Sequence, residues 1–117
     1  MPYMLLIMEP RGQRAERSDA EGREVYQRML DYSAALKARG VLRVSQSLKT
    51  DTEGARIRVR DGKRTVLDGP FVESKEMVGG YFILDCDTLD EAIAIASEVP
   101  AASWATIEVR EFGPCFS

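Results

Sequence analysis

Histidine is absent from all 117 residues of this chain. That gap removes the Ser-His-Asp and Cys-His nucleophiles, the histidine general base and histidine-ligated zinc. Acid–base work near neutral pH falls instead to carboxylates of raised pKa, to Lys, Tyr or Cys, or to a bound ligand. Cysteine is scarce too, with only Cys86 and Cys115 present, at no zinc or redox spacing. Such usage implies reduced thiols in a cytoplasm rather than a disulfide framework. Cys86 closes an apolar strand and reads as buried packing, while Cys115 lies in a Gly-Pro tail. No metal and no cofactor is expected, because the carboxylates are scattered and neither Cys nor His offers a tetrahedral site.

Long hydrophobic runs are also lacking. The longest, Tyr3 to Met8, is far too short to span a bilayer, and it has neither the basic lead-in nor the cleavage site of a signal peptide. Positive charge is not in excess, since the formal net charge is −3. That balance gives no long-range attraction to phosphate backbones or anionic lipid, so neither nucleic acid nor membrane is an expected partner. A cytoplasmic location is expected. What is present is a globular composition, 44% hydrophobic and 30% charged, at a length suited to one domain over residues 1–117.

Tyr3 to Met8 is apolar on both faces, which predicts a central strand. Glu9 to Arg17 is polar, contains Pro10 and Gly12, and reads as a loop. Ser18 and Glu21 then stand at capping-box spacing, and Gly40 sits where a helix-ending glycine belongs. Between them Val25, Met29, Tyr32 and Leu36, widened by Tyr26 and Leu30, form a stripe expected to pack in the core. A strand is expected over Val41 to Leu48. Ala55 to Arg60 and Lys63 to Leu67 flank Asp61-Gly62, a strong hairpin signal. This hairpin places Arg56, Arg58 and Arg60 on one face, which reads as a solvated edge that charge protects from aggregation. A second two-faced strand, Gly80 to Cys86, precedes a helix capped by Thr88 and Glu91 and ended by Pro100. Leu89, Ala92, Ile93, Ala96 and Val99 are expected to line that helix, and Ala105 to Phe112 is the last strand. Two helical crossovers within one sheet mark an α+β fold, a ferredoxin-like βαββαβ sandwich with an inserted β-hairpin.

The densest local constraint lies in Asp68-Gly69-Pro70-Phe71-Val72-Glu73-Ser74-Lys75-Glu76-Met77-Val78-Gly79-Gly80-Tyr81-Phe82. Asp68 ends a strand, Pro70 restricts both its own φ and Gly69, and Gly79-Gly80 permits a bend or a close backbone approach. This segment resembles the DGPF signature of the YCII-related proteins, a family of small bacterial α+β domains. The likeness extends to Tyr3-Met4-Leu5-Leu6-Ile7, Arg58-Val59-Arg60-Asp61-Gly62-Lys63, Leu89-Asp90-Glu91-Ala92 and Ile107-Glu108-Val109-Arg110. It implies the ferredoxin-like fold and a superfamily of dimeric α+β barrels. Some relatives look like enzymes that use a His–Asp pair, for example in dehydrochlorination of aromatic substrates. That pair has no counterpart in a chain without histidine. Relatives in the DGPF branch are often encoded beside extracytoplasmic-function sigma factors, which implies a regulatory or sensing role.

Two readings of the signature stand side by side. In the functional one, Asp68, Glu73 and Tyr81 are candidate catalytic residues. Phe71, Lys75, Gly79 and Gly80 then bind a small molecule in a pocket between sheet and loop. In the structural one, Asp68 caps backbone N–H groups, Glu73 and Lys75 pair on the surface, and the glycines serve a turn. The function expected is small-molecule binding. Its alternatives are a cofactor-free lyase, isomerase or hydrolase, and an accessory protein to a sigma-factor system. A homodimer is expected because Leu5 and Ile7 oppose Leu6 and Met8, and Tyr81 and Ile83 oppose Phe82 and Leu84. Helices cover only one face of such a sheet, and a second copy would cover the other.

Overall fold

A computed structural model describes residues 2–116. Six strands and two α-helices follow in the order β1 (Tyr3–Pro10), α1 (Asp19–Ala38), β2 (Leu42–Ser47), β3 (Ala55–Arg60), β4 (Lys63–Asp68), β5 (Glu76–Leu84), α2 (Leu89–Glu98) and β6 (Thr106–Glu111). Strands β2, β5, β1 and β6 form one sheet in that spatial order, every neighbouring pair antiparallel. This is the ferredoxin-like arrangement, with β3 and β4 inserted as a separate two-stranded sheet. The single chain forms an open sheet and no closed barrel.

The cap of α1 behaves as its sequence predicts, whereas at α2 the Glu91 carboxylate accepts from Asp87 N–H at 2.9 Å and the box with Thr88 stays half closed. Ser18 Oγ accepts from Glu21 N–H and the Glu21 carboxylate accepts from Ser18 N–H, closing the box that starts α1. Thr88 Oγ1 accepts from Glu91 N–H at the start of α2. At the hairpin tip both Asp61 and Gly62 hold positive φ, 52° and 74°. An aspartate there is tolerated because its short polar side chain lowers the left-handed penalty.

Burial alternates along β1: Tyr3, Leu5, Ile7 and Glu9 are buried, and Met4, Leu6 and Met8 are only half-buried. Phe82 and Leu84 of β5 join the buried set, packing with Leu36 of α1 and with Ala92, Ile95, Ala96 and Val99. On α2 the inward residue is Ile95, whereas Ile93 and Leu89 are exposed. A ten-residue helix presents a narrow face to the sheet, and Ala92, Ala96 and Val99 put Ile95 at its centre.

On the face away from the core, Met4 and Leu6 lie beside Ile83 and Tyr81 of β5 and beside Arg110 and Glu108 of β6. The hairpin leaves the body altogether, with every residue of β3 and β4 exposed. Its projection explains a radius of gyration of 16.0 Å, against about 13 Å for a compact chain of this length.

Candidate functional site

The site begins with a position where strand periodicity and residue chemistry conflict. Glu9 continues the inward phase of Tyr3, Leu5 and Ile7, so its carboxylate is carried into the interior at 6% exposure. A buried carboxylate needs a partner. The segment read as a loop supplies one in Arg14, which opens a 3₁₀ turn over Arg14–Glu16. Arg14 Nη2 donates to Glu9 Oε1 at 2.5 Å, and Nε donates to Oε1 and Oε2 at 3.1 and 3.0 Å. Such a fork-on-carboxylate contact fixes direction as well as charge.

The facing strand makes room for this pair. Register between β1 and β5 slips between Ile7 and Met8, so Ile7 faces Gly80, Met8 faces Val78, and Gly79 is the extra bulged residue. A β-carbon on Gly79 would lie 1.8 Å from Glu9 Oε1, and one on Gly80 would lie 2.8 Å from the Gln46 carbonyl oxygen. The close approaches at this glycine pair are therefore made by the protein's own carboxylate and backbone.

Beside the bulge lies a cavity of about 350 Å³ between α1 and the sheet. Its volume falls within the range of small-molecule sites. The walls combine Val25, Met29 and Leu30 with Ser33, Ser45 and Trp104, and Glu9 and Arg14 stand at one side. The apolar stripe of α1 thus divides. Leu36 and Tyr32, at the C-terminal end, pack into the core, while Val25 lines the cavity and Tyr26 and Leu30 remain 51% and 43% exposed. The expectation that the whole stripe packs in the core fails for Val25, Tyr26 and Leu30, while Met29 lines the cavity and also packs against the core. The half-buried Ser33 and Ser45, joined Oγ to Oγ at 3.0 Å, stand on α1 and β2 where large apolar residues would otherwise fill the gap.

The signature turn is held from outside itself. Gly69 passes so near the Asp51 carbonyl that a β-carbon there would lie 1.7 Å from its oxygen, and Gly69 N–H donates to the Gly54 carbonyl at 2.9 Å. The Asp51 carboxylate accepts from Phe71 N–H at 3.3 Å and from both terminal nitrogens of Arg11 at 2.9 and 2.5 Å. Arg11 Nε also donates to the Ser74 carbonyl at 2.7 Å. The hydrogen bond from Arg11 holds the Asp51 carboxyl below its ordinary range, aided by Phe71 N–H. The carboxylate that organises this turn is therefore Asp51. Asp68, at the exposed end of β4, opposes Ala55.

The residues singled out from sequence separate into two groups. Gly79, Gly80 and Tyr81 border the cavity, although strand alternation turns the Tyr81 ring to the opposite face, beside Leu6. Asp68 ends β4, and Phe71, Glu73 and Lys75 lie on the connection from there to β5, all outside the cavity lining. Among the described residues no hydrogen bond or ion pair joins Asp68, Glu73 and Tyr81, and Glu73 and Lys75 form no ion pair. The Phe71 ring carries the Arg56 guanidinium 4.0 Å from its centroid, which gives one arginine of the hairpin row a defined partner. Sequence reasoning passed over Glu9, Arg14, Arg11 and Asp51. Only Glu9 left a signal, as a charge in phase with the inward residues of its strand.

Among the described residues no helix is long and apolar enough to cross a membrane, and no three metal-ligating side chains converge. A curated relative from Rhizobium meliloti (strain 1021), named only as an uncharacterized protein, is 41% identical over 61 residues, half of this chain. The matched stretch spans 49% of that relative. Among solved structures, 5-chloro-2-hydroxyhydroquinone dehydrochlorinase (TftG) from Burkholderia phenoliruptrix AC1100, in complex with 2,5-dihydroxybenzoquinone, superposes with a TM-score of 0.56. That likeness covers 97% of this chain and 94% of the neighbour at 19% identity, and it establishes a shared fold. The YCII-related domain family matches residues 1–114, nearly the whole chain, and the protein belongs to that family.

Proposed function

We propose that this YCII-related domain binds a small organic molecule in the cavity between α1 and the sheet. One observation carries the reading: the N-terminal part of the apolar stripe of α1, built like core, faces open volume beside the ion pair of buried Glu9 with Arg14. Enclosed apolar walls with a few fixed polar groups are what small-molecule sites have in common. The solved neighbour of this fold in complex with 2,5-dihydroxybenzoquinone supports it further.

The molecule works as a homodimer in this proposal. Met4, Leu6, Tyr81 and Ile83 form the half-buried apolar face that a second sheet would cover. The signature loops, with Asp68, Phe71, Glu73 and Lys75, then flank the space shared by the two sheets, where a second ligand-facing surface would lie.

A second reading, cofactor-free acid–base catalysis, is favoured by the Glu9 carboxylate in the cavity wall. To take a proton from a bound substrate there, Glu9 must release the Arg14 guanidinium that donates to both of its oxygens. The dehydrochlorinase named for the neighbouring fold is in keeping with this reading.

Native mass spectrometry of freshly purified protein tests the binding site. A co-purified small molecule should be present on the wild type and lost from Gly22→Leu, whose new side chain enters the mouth. At Gly22 a β-carbon meets nothing within 4 Å and any residue but proline favours the helix over glycine, so the variant is expected to fold. Retention in Gly22→Leu would place the site elsewhere. With a ligand in hand, Glu9→Gln separates the two readings, since loss of turnover with binding retained favours catalysis.

A further inference from the structure

We infer that the cavity selects an anionic ligand, an aromatic or otherwise apolar body bearing one acidic head group, and that Arg17 receives the head. This rests on the cavity reading above and adds the class of molecule.

The inference comes from an imbalance of charge at the mouth. Outside the cavity a shallower depression shares Arg14, Arg17, Gly22 and Tyr26 with it and adds Ser18, Asp19 and Arg23. Three guanidinium groups therefore surround one entrance in a chain whose net charge is −3. Of the carboxylates, Glu9 and Asp19 line the two depressions and Glu21 feels the charge of Arg17, and Glu9 and Glu21 are committed to other partners. Glu9 is taken up by Arg14. Glu21 is turned to the Ser18 N–H at 2.9 Å to cap α1, although it feels the charge of Arg17. Among the described residues Arg17 forms no ion pair.

Arg17 is nevertheless held in place. Its guanidinium lies 5.7 Å from the centroid of the Trp104 ring, and Arg28 lies 5.1 Å from the same centroid. A half-buried cation parked on an aromatic face has lost much of its rotamer freedom before any ligand arrives, so less is lost on binding. Behind it run Val25, Met29 and Leu30, which suit an apolar body, and deeper polar contacts come from Ser33 and Ser45. A dianion would need a second unpaired cation inside, but Arg14 is already neutralised by Glu9 and Arg23 lines only the outer depression. One head group is the better match.

Two dyes of nearly the same body test this, anilinonaphthalene sulfonate and the uncharged phenylnaphthylamine, titrated by fluorescence against wild type, Arg17→Gln, Arg17→Lys and Gly22→Leu. The sulfonate should bind wild type at least about tenfold more tightly than the neutral dye, as a charged contact at a half-buried site warrants. Arg17→Gln should erase that preference and its salt dependence while leaving the neutral dye unchanged, and Arg17→Lys should keep part of it. Gly22→Leu should weaken both dyes. Equal binding of the two dyes by wild type, or a preference that survives in Arg17→Gln, overturns the anionic class and leaves the cavity standing. Binding of both dyes that is indifferent to Gly22→Leu, or absent from wild type, overturns the cavity reading and this inference with it.

Discussion

Glu9 and Gly79 face each other across β1 and β5 so closely that a single methyl group on Gly79 would fall 1.8 Å from the carboxylate oxygen. The bulge and the buried carboxylate are thus one device: the extra residue bends β5, and its missing side chain leaves the space that Glu9 and Arg14 occupy. Gly79→Ala should destabilise the domain by roughly 1 to 3 kcal/mol, the usual cost of overpacking. Gly22→Ala, in the first turn of α1 where a β-carbon meets nothing within 4 Å, should stabilise it by about 0.5 to 1 kcal/mol. Urea midpoints of the two variants check both signs. Equal stability of Gly79→Ala and wild type would mean that Glu9 moves freely and that the pair is not fixed.

Acid should weaken the signature turn before anything else about it fails. Arg11 holds the Asp51 carboxyl below its ordinary range. For a group whose pKa is lowered on folding, stability is fully present above the unfolded value of about 3.9 and is lost as pH falls through the folded value. Glu21, hydrogen-bonded to the Ser18 backbone, and Glu98, hydrogen-bonded to Arg39, are lowered too and act in the same direction. Wild type and Asp51→Asn should therefore differ clearly in urea midpoint near neutral pH and converge well below about pH 4. An unchanged difference at both pH values would remove the Arg11–Asp51 pair as the cause. Asp68→Asn, at an exposed strand end, should shift the midpoint much less than Asp51→Asn does.

The two thiols should react in a fixed order. Burial, then the negative charges of Glu91 and Asp87, raise the Cys86 thiol above its ordinary value, so little thiolate forms at mildly alkaline pH. Cys115 is exposed. Iodoacetamide near pH 8 should add one group to the native protein, at Cys115, and a second only after denaturation. Two adducts forming at equal rates on native protein would contradict the burial of Cys86.

Light scattering at micromolar concentration should give twice 13.1 kDa. Fully burying an exposed large side chain contributes roughly 1.5 to 3 kcal/mol. The four on the open face are already half-buried and each gains part of that, together still a large share of the about 5 to 15 kcal/mol that a domain of this kind has in total. Leu6→Lys, at the centre of that face between Tyr81 and Glu108, should halve the mass. A folded wild-type species at 13.1 kDa would end the dimer proposal and the shared space between the sheets with it.

Much of the fold was legible in the chain because its cues are local. The caps at Ser18 and Thr88 and the positive-φ pair at Asp61-Gly62 each depend on a few neighbouring residues. So does the two-faced character of β1 and β5, and strand and helix periods then carry those cues into one topology. The exchange of Ile93 for Ile95 on α2 marks where periodicity stops, since both positions are apolar and only the position of the sheet decides between them.

The cavity was decided by tertiary structure. Val25, Tyr26, Met29 and Leu30 read as core, and by composition they are core. Val25, Tyr26 and Leu30 face open volume because Ser45 of β2 stands across from α1 and bonds Ser33 of that helix, a contact between elements that no local pattern encodes. The partners of Glu9 and Asp51 follow the same rule. Arg14 reaches Glu9 only because a 3₁₀ turn folds the chain back over the end of β1, and Arg11 reaches Asp51 from 40 residues away. A buried charge in phase with a strand announces that a partner must exist, since desolvation without one is too costly. Which residue supplies it depends on how the chain returns, and that is settled only when the sheet assembles.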